Sequence, residues 1–190
     1  MNTEIEDILA DSSRVVRGLS EQAEQIAEAG RRMARVMSAA GRVYALGNGG
    51  SAAQSQHLAA ELVGRFEMER PGMPCQALTC NTSTLTAVGN DYGPNSIFAR
   101  QVEALVTDED LVVCISTSGQ SANVLAAAAE ANRRGAQTVA MTGEDGGELA
   151  RNCDVSLRVP SDCTPRIQEG HLVVIHLLCR HVEQRLLGSE

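Results

Sequence analysis

From Glu4 to about Ala40 apolar residues return every three or four positions. Ile5, Ile8, Leu9, Val15, Val16, Leu19, Ala23, Ile26, Met33, Val36 and Met37 form this series, with charged residues between them. That period predicts amphipathic helix, and Gly30, a weak helix residue, predicts a break into two helices. After Gly41 the texture changes to short apolar runs at Val43–Leu46, Cys75–Leu78, Leu111–Ile115, Thr138–Met141 and Val155–Val159. Helix-like stretches lie between them at Ser51–Arg65, Thr82–Gly89, Ser96–Val106, Ser121–Arg134 and Glu148–Asn152, and a last one runs from Pro165 to Leu187. Strands alternating with helices predict parallel βαβ units and a doubly wound α/β sheet. With no linker or low-complexity tract, residues 1–40 read as N-terminal helices belonging to the same unit as residues 41–190.

Composition narrows the chemistry. All 16 basic side chains of the 190 residues are arginine, so lysine is absent, as is tryptophan. Schiff-base aldolase chemistry and pyridoxal phosphate anchoring are thereby excluded, and so is a Walker-type phosphate loop, which needs its lysine. A net charge of −8 without a basic run argues against nucleic acid as a ligand. With 43% hydrophobic and 21% charged residues, neither disorder nor a membrane protein is indicated. No two of the six cysteines form a CxxC pair, which argues against a zinc ribbon or redox pair; Cys114 and Cys179 fall on apolar stripes and read as buried thiols. Glu4, Glu6 and Asp7 occupy the place where a signal peptide would carry positive charge, so a cytoplasmic protein is expected.

Two of the predicted strands run into loops that open helices: Gly47-Asn48-Gly49-Gly50-Ser51 and Ser116-Thr117-Ser118-Gly119-Gln120-Ser121. Ligands bind at the carboxyl ends of strands in open α/β sheets. Helix N-terminal N–H groups with Ser and Thr hydroxyls hold phosphate without lysine. Either loop alone could be a turn with an N-cap; two in one small sheet favour a ligand. Gly47-x-Gly49-x-x-Ala52 matches a dinucleotide fingerprint, but the second strand ends Ala77-Leu78-Thr79-Cys80 without the ribose-binding acid. Ser118 lies in no G-x-S-x-G elbow, so a phosphate-binding hydroxyl is the better account of it.

Two further constellations carry chemistry. His57 and Glu61 are four apart and share a helix face, either as a surface pair or as a metal-ligand or acid/base pair. On the last helix His176 interrupts Leu172-Val173-Val174-Ile175-His176-Leu177-Leu178, and Gln168 lies about 2.2 turns earlier on roughly the same side. His57, Glu61, Gln168 and His176 would suffice for zinc if the two helices meet. His171 and His181 have no such pairing and read as core residues.

These features together resemble the sugar isomerase (SIS) domain family over nearly the whole chain. The marks are GNGGS at 47–51, HLAAEL at 57–62, ERPG at 69–72, VGND at 88–91, ISTSGQSANV at 115–124, MTGEDGG at 141–147, and RIQEGH at 166–171 followed by His176. The resemblance implies a five-stranded parallel sheet between helices. It also implies a homotetramer with active sites at subunit interfaces, the N-terminal helices serving assembly. It implies one Zn²⁺ per subunit on His57, Glu61, Gln168 and His176, and substrate contacts from Asn48, Gly49, Gly50, Glu61, Asn90, Asp91, Ser116, Thr117, Ser118, Ser121 and Gln168. The expected reaction converts sedoheptulose 7-phosphate to D-glycero-D-manno-heptose 7-phosphate through an enediol, the first step toward nucleotide-activated heptose for lipopolysaccharide or other glycoconjugates. Glu61 and His176 are the expected catalytic pair. A non-catalytic, replication-initiator-associating relative resembles the chain over its full length but lacks counterparts of Glu61 and His176. Isomerases of other sugar phosphates are a further alternative. One departure is Thr164-Pro165, where some family members carry an acid; Pro165 fits the first turn of a helix.

Overall fold

A computed structural model describes residues 2–188 of the chain. Two N-terminal helices, α1 (Asn2–Gly18) and α2 (Ala23–Ser38), precede an alternation of β1 (Val43–Gly47), α3 (Gly49–Val63), β2 (Cys75–Ala77), α4 (Thr82–Tyr92), α5 (Ala99–Leu105), β3 (Leu111–Ile115), α6 (Ala122–Arg133), β4 (Gln137–Thr142), α7 (Gly147–Asn152), β5 (Val155–Arg158) and the long α8 (Thr164–Leu187). The five strands form one parallel sheet in the order β2-β1-β3-β4-β5. Strands β1 and β3 are buried along their whole length, as expected where helices cover both faces and the strand reads as an unbroken apolar run. Val43, Ala45, Leu111, Val113, Ile115, Val139 and Met141 point to the face covered by α1, α2, α3 and α8. Tyr44, Leu46, Val112, Cys114 and Ala140 point to the face covered by α5, α6 and α7. The alternation is the period of two that a pleated strand imposes.

The N-terminal helices break elsewhere than Gly30. A 3-10 turn at Leu19–Gln22 separates α1 from α2, and Gly30 is buried inside α2. A Cβ on Gly30 would stand 2.7 Å from Cδ2 of His181 on α8. The glycine therefore permits close approach of two helices, and tertiary packing outweighs its low helix propensity. Likewise, the helix expected over Ser96–Val106 is a 3-10 turn at Pro94–Ser96 followed by α5.

Helix α8 fixes the position of everything that follows. Pro165 sits in its first turn, where a missing N–H costs nothing. Its buried stripe is Val174, Ile175, Leu178, Cys179 and Val182; each aliphatic member contributes ~1.5–3 kcal/mol by leaving water. Arg166 ties the N-terminal end of α8 to α1, donating Nη1 to the Ile8 carbonyl (3.2 Å) and pairing with Glu169. Cys114 and Cys179 are both buried, and burial first, then the Glu61 and Glu183 charges, pushes the Cys179 thiol up to about 12. Among the described residues no helix is long and apolar enough to cross a membrane.

Candidate active site

Strand β1 pairs with β2 on one side and β3 on the other, so the chain winds in opposite directions from it. The two Gly/Ser loops therefore emerge side by side, from Gly47 and Ile115, which are register partners. A reciprocal amide pair joins them: Asn48 Nδ2 donates to Asn123 Oδ1 (2.8 Å) and Asn123 Nδ2 to Asn48 Oδ1 (2.9 Å). In the second loop the Ser116 and Ser121 hydroxyls lie 3.0 Å apart. Gly119 has φ +62°, and a Cβ there would strike the Gly146 carbonyl; only glycine suits both demands. The loop is braced from below by Gly143 N–H to Thr117 O (2.9 Å) and Leu149 N–H to Gly119 O (3.0 Å). The first-turn N–H groups of α3 and α6 open onto these loops. Such groups carry the positive end of the helix dipole and suit a phosphate.

Two to three turns further along α3, on the face that Gly50 also occupies, lies the polar cluster. His57 Nε2 is 3.0 Å from His176 Nε2 and 3.4 Å from Glu61 Oε1. One donor atom from each of the three residues falls within 4.8 Å of the others. His57 and Glu61 share the α3 face because they are four apart; His176 reaches them because α3 and α8 pack together. All three side chains are half-buried, so solvent or a ligand can enter. Two imidazole nitrogens and a carboxylate are a zinc-type donor set, and these separations can be spanned by bonds of about 2.0–2.1 Å. Gln168, a residue of the same helix, lies against the first loop. Its backbone carbonyl accepts from Gln54 Nε2 (2.6 Å), and a Cβ at Gly50 would collide with its side-chain amide.

A third element supports the cluster from behind. The segment after α3 is held by Glu183 of α8, whose carboxylate accepts the N–H groups of Phe66, Glu67 and Met68, each at 3.0 Å. It also accepts Arg70 Nε at 2.9 Å. Burial alone would raise the Glu183 pKa, but these N–H groups and the Arg70 guanidinium outweigh it and hold the carboxyl below its ordinary value. Arg70 donates onward to the carbonyls of Glu61 (2.9 Å) and Leu62 (2.8 Å). Phe66 stacks on His176 with ring centroids 5.4 Å apart and an interplanar angle of 29°.

The structure thus brings His57, Glu61 and His176 together, sets Gln168 over Gly50, and joins Asn48 to the helix behind Ser116, Thr117, Ser118 and Ser121. Asn90 and Asp91 stand apart. They are exposed at the end of α4, and Asn90 Nδ2 donates to Asp91 Oδ1 (2.8 Å). Among the described residues no hydrogen bond joins either to the loops or to the triad. Sequence reasoning did not single out Asn123, Phe66, Arg70 or Glu183. A signal existed for Glu183, a charge on the buried stripe of α8 beside Cys179 and Val182. Arg70 lies inside ERPG without having been given a role.

A family model described as SIS domain matches residues 9–143. The phosphoheptose isomerase of Alkalilimnicola ehrlichii is 53% identical over 169 residues, covering 87% of this chain and 86% of that one. The structure of a phosphoheptose isomerase from Neisseria gonorrhoeae superposes with a TM-score of 0.91 at 40% identity, covering 96% of this chain and 98% of the other. One from Francisella tularensis gives 0.92 at 39% identity, with coverage of 96% and 97%.

Proposed function

Because this chain belongs to the SIS domain family and to the phosphoheptose isomerases within it, we propose that its two loops and the His57–Glu61–His176 cluster together isomerise sedoheptulose 7-phosphate to D-glycero-D-manno-heptose 7-phosphate. The product feeds nucleotide-activated heptose. The observation that carries the assignment is the convergence of His57, Glu61 and His176, the two histidines 119 residues apart in sequence, on helices that also hold Gly50 and Gln168 in contact.

The phosphate is held by the first-turn N–H groups of α6 and the hydroxyls of Ser116, Thr117, Ser118 and Ser121. Asn48, Gly49 and Gly50 take the sugar, the glycines allowing backbone approach. Glu61 removes a proton from C1, giving an enediol, and a proton returns at C2. His176 delivers and recovers the proton on the oxygens, so that the C2 carbonyl becomes a hydroxyl and C1 an aldehyde. No imine is required, in keeping with the absence of lysine. His57, Glu61 and His176, with Gln168 completing the donor set and touching substrate, would hold one Zn²⁺, which when bound supplies polarisation of the substrate oxygens and a fixed frame. Asn90 and Asp91 contribute as substrate contacts in the assembled protein.

The assembly we assign is a homotetramer with active sites at subunit interfaces. Ile5, Ile8 and Leu9 are exposed on one face of α1, and α4 buries none of its residues within the single chain. Asn90 and Asp91 also stand away from the triad they would serve. All six cysteines are free thiols, which suits a reducing cytoplasm. The test is to incubate purified, zinc-supplied protein with sedoheptulose 7-phosphate and follow aldose formation, with Glu61→Gln in parallel. Turnover that the substitution abolishes is expected. Absence of turnover, or equal turnover in the variant, refutes the assignment.

A further inference from the structure

The side chains of Arg70 and Glu183 are each 1% exposed. A buried ion pair is a costly way to pin a loop, since apolar residues of similar volume commonly give equal or greater stability. What apolar residues cannot do is grip chosen backbone atoms. Glu183 grips the N–H groups of Phe66, Glu67 and Met68. Arg70 grips the carbonyls of Glu61 and Leu62 in the last turn of α3, where helix carbonyls lack intrahelical partners. The two residues also grip each other at 2.9 Å.

These contacts settle two placements. One is the backbone of Glu61, held directly by Arg70 Nη2. The other is the ring of Phe66, whose own N–H is bound by Glu183 Oε1 and which stacks on His176. Glu183 follows His176 by seven residues, about two helical turns, and so lies on the same side of α8. One rigid helix thus carries both the imidazole and the anchor for the ring that covers it. Neither Arg70 nor Glu183 is hydrogen-bonded to the phosphate loops, since their partners all lie at residues 61–71 or on each other.

We propose that Arg70 and Glu183 are positioning residues for the isomerisation, a clamp that sets Glu61 directly and His176 through the Phe66 ring. The proposal rests on the assignment of Glu61 and His176 as the proton-transfer groups. Its signature is a loss in kcat without a matching change in KM, because substrate binding through the phosphate loops is untouched.

The test compares the apolar double variant Arg70→Met/Glu183→Leu with the parent and with Glu61→Gln, measuring thermal melting, KM, and kcat per bound metal ion. A crystal structure of the double variant gives the Phe66–His176 spacing. The expected result is a folded protein melting at or above the parent temperature, with KM within about threefold and kcat reduced about 10- to 100-fold, the scale on which small misplacements act. The Phe66 ring should be displaced from His176. A folded double variant with parental kcat, beside an inactive Glu61→Gln, overturns the clamp and leaves the active-site assignment standing. Parental kcat in Glu61→Gln overturns both. Should the double variant not fold, Arg70→Lys carries the same comparison, because a lysine keeps the charge but not the fork that reaches Glu61 and Glu183 together. Reduced kcat at unchanged KM is again expected, and parental kcat refutes the clamp.

Discussion

His171 lies wholly inside the fold on α8, with Nε2 3.1 Å from the Thr142 carbonyl and a buried Nδ1 that has no partner. A carbonyl only accepts, so Nε2 carries the proton and Nδ1 is bare. A second proton would charge the ring away from water and create an N–H with nothing to receive it. Burial accordingly pulls the pKa from 6.5 down to about 4. The unfolded chain, titrating near the ordinary value, holds more protons between these limits, so stability rises with pH across the window and is lost as pH falls from 6.5 toward 4. The full loss is about 3.4 kcal/mol, of which about 2 kcal/mol is felt by pH 5. Urea unfolding of parent and His171→Gln at pH 7.5 and pH 5, at one protein concentration, measures it. Glutamine keeps an N–H for Thr142 but takes up no proton. The parent should lose about 2 kcal/mol more than the variant on acidification. Equal losses would show that His171 does not resist protonation in the folded state.

Three other outcomes follow from the same geometry. Gly30→Ala should lower the melting temperature, because crowding the His181 ring costs about 1–3 kcal/mol against a helix-propensity gain of about 1 kcal/mol; a higher melting temperature would mean that α2 and α8 have room to spare. Asn123→Ala removes the partner of Asn48 and should raise KM for sedoheptulose 7-phosphate about 3- to 10-fold, the worth of roughly one net hydrogen bond, and an unchanged KM in steady-state assays would count against the bridge. Dialysis against a chelator should abolish turnover and added zinc restore it; full activity in protein shown by metal analysis to be metal-free would remove the ion from the mechanism.

The middle of the sheet was legible because β1 and β3 are buried on both faces and so read as uninterrupted apolar runs. Leu111–Ile115 was bounded to the residue, and Val43–Leu46 missed only Gly47. The helix break was misplaced because Gly30 is explained by its contact with His181, which local sequence does not contain. The true break at Leu19–Gln22 has no glycine or proline inside it. In the site, the four-residue step from His57 to Glu61 gave the shared face, a local fact. That His176 meets them is a non-local fact, fixed by how α8 crosses α3. Arg70 and Glu183 were harder still, since their meaning lies in backbone atoms of a segment with no periodicity. Asn123 lies within the ISTSGQSANV match, yet its role emerges only when Asn48 is placed opposite it.

The late position of α8 has a consequence for how the protein comes into being. A ribosome that has finished β5 at Arg158 has produced every strand among the described residues and both Gly/Ser loops, and with them His57 and Glu61. It has not yet made Gln168, His176 or Glu183. A nascent or prematurely terminated chain at that point would therefore lack the second imidazole, the anchor for the segment beyond α3 and the apolar stripe of α8. Neither the His57–Glu61–His176 cluster nor the apolar cover that α8 lays on one face of the sheet is complete until this last helix is made and docks.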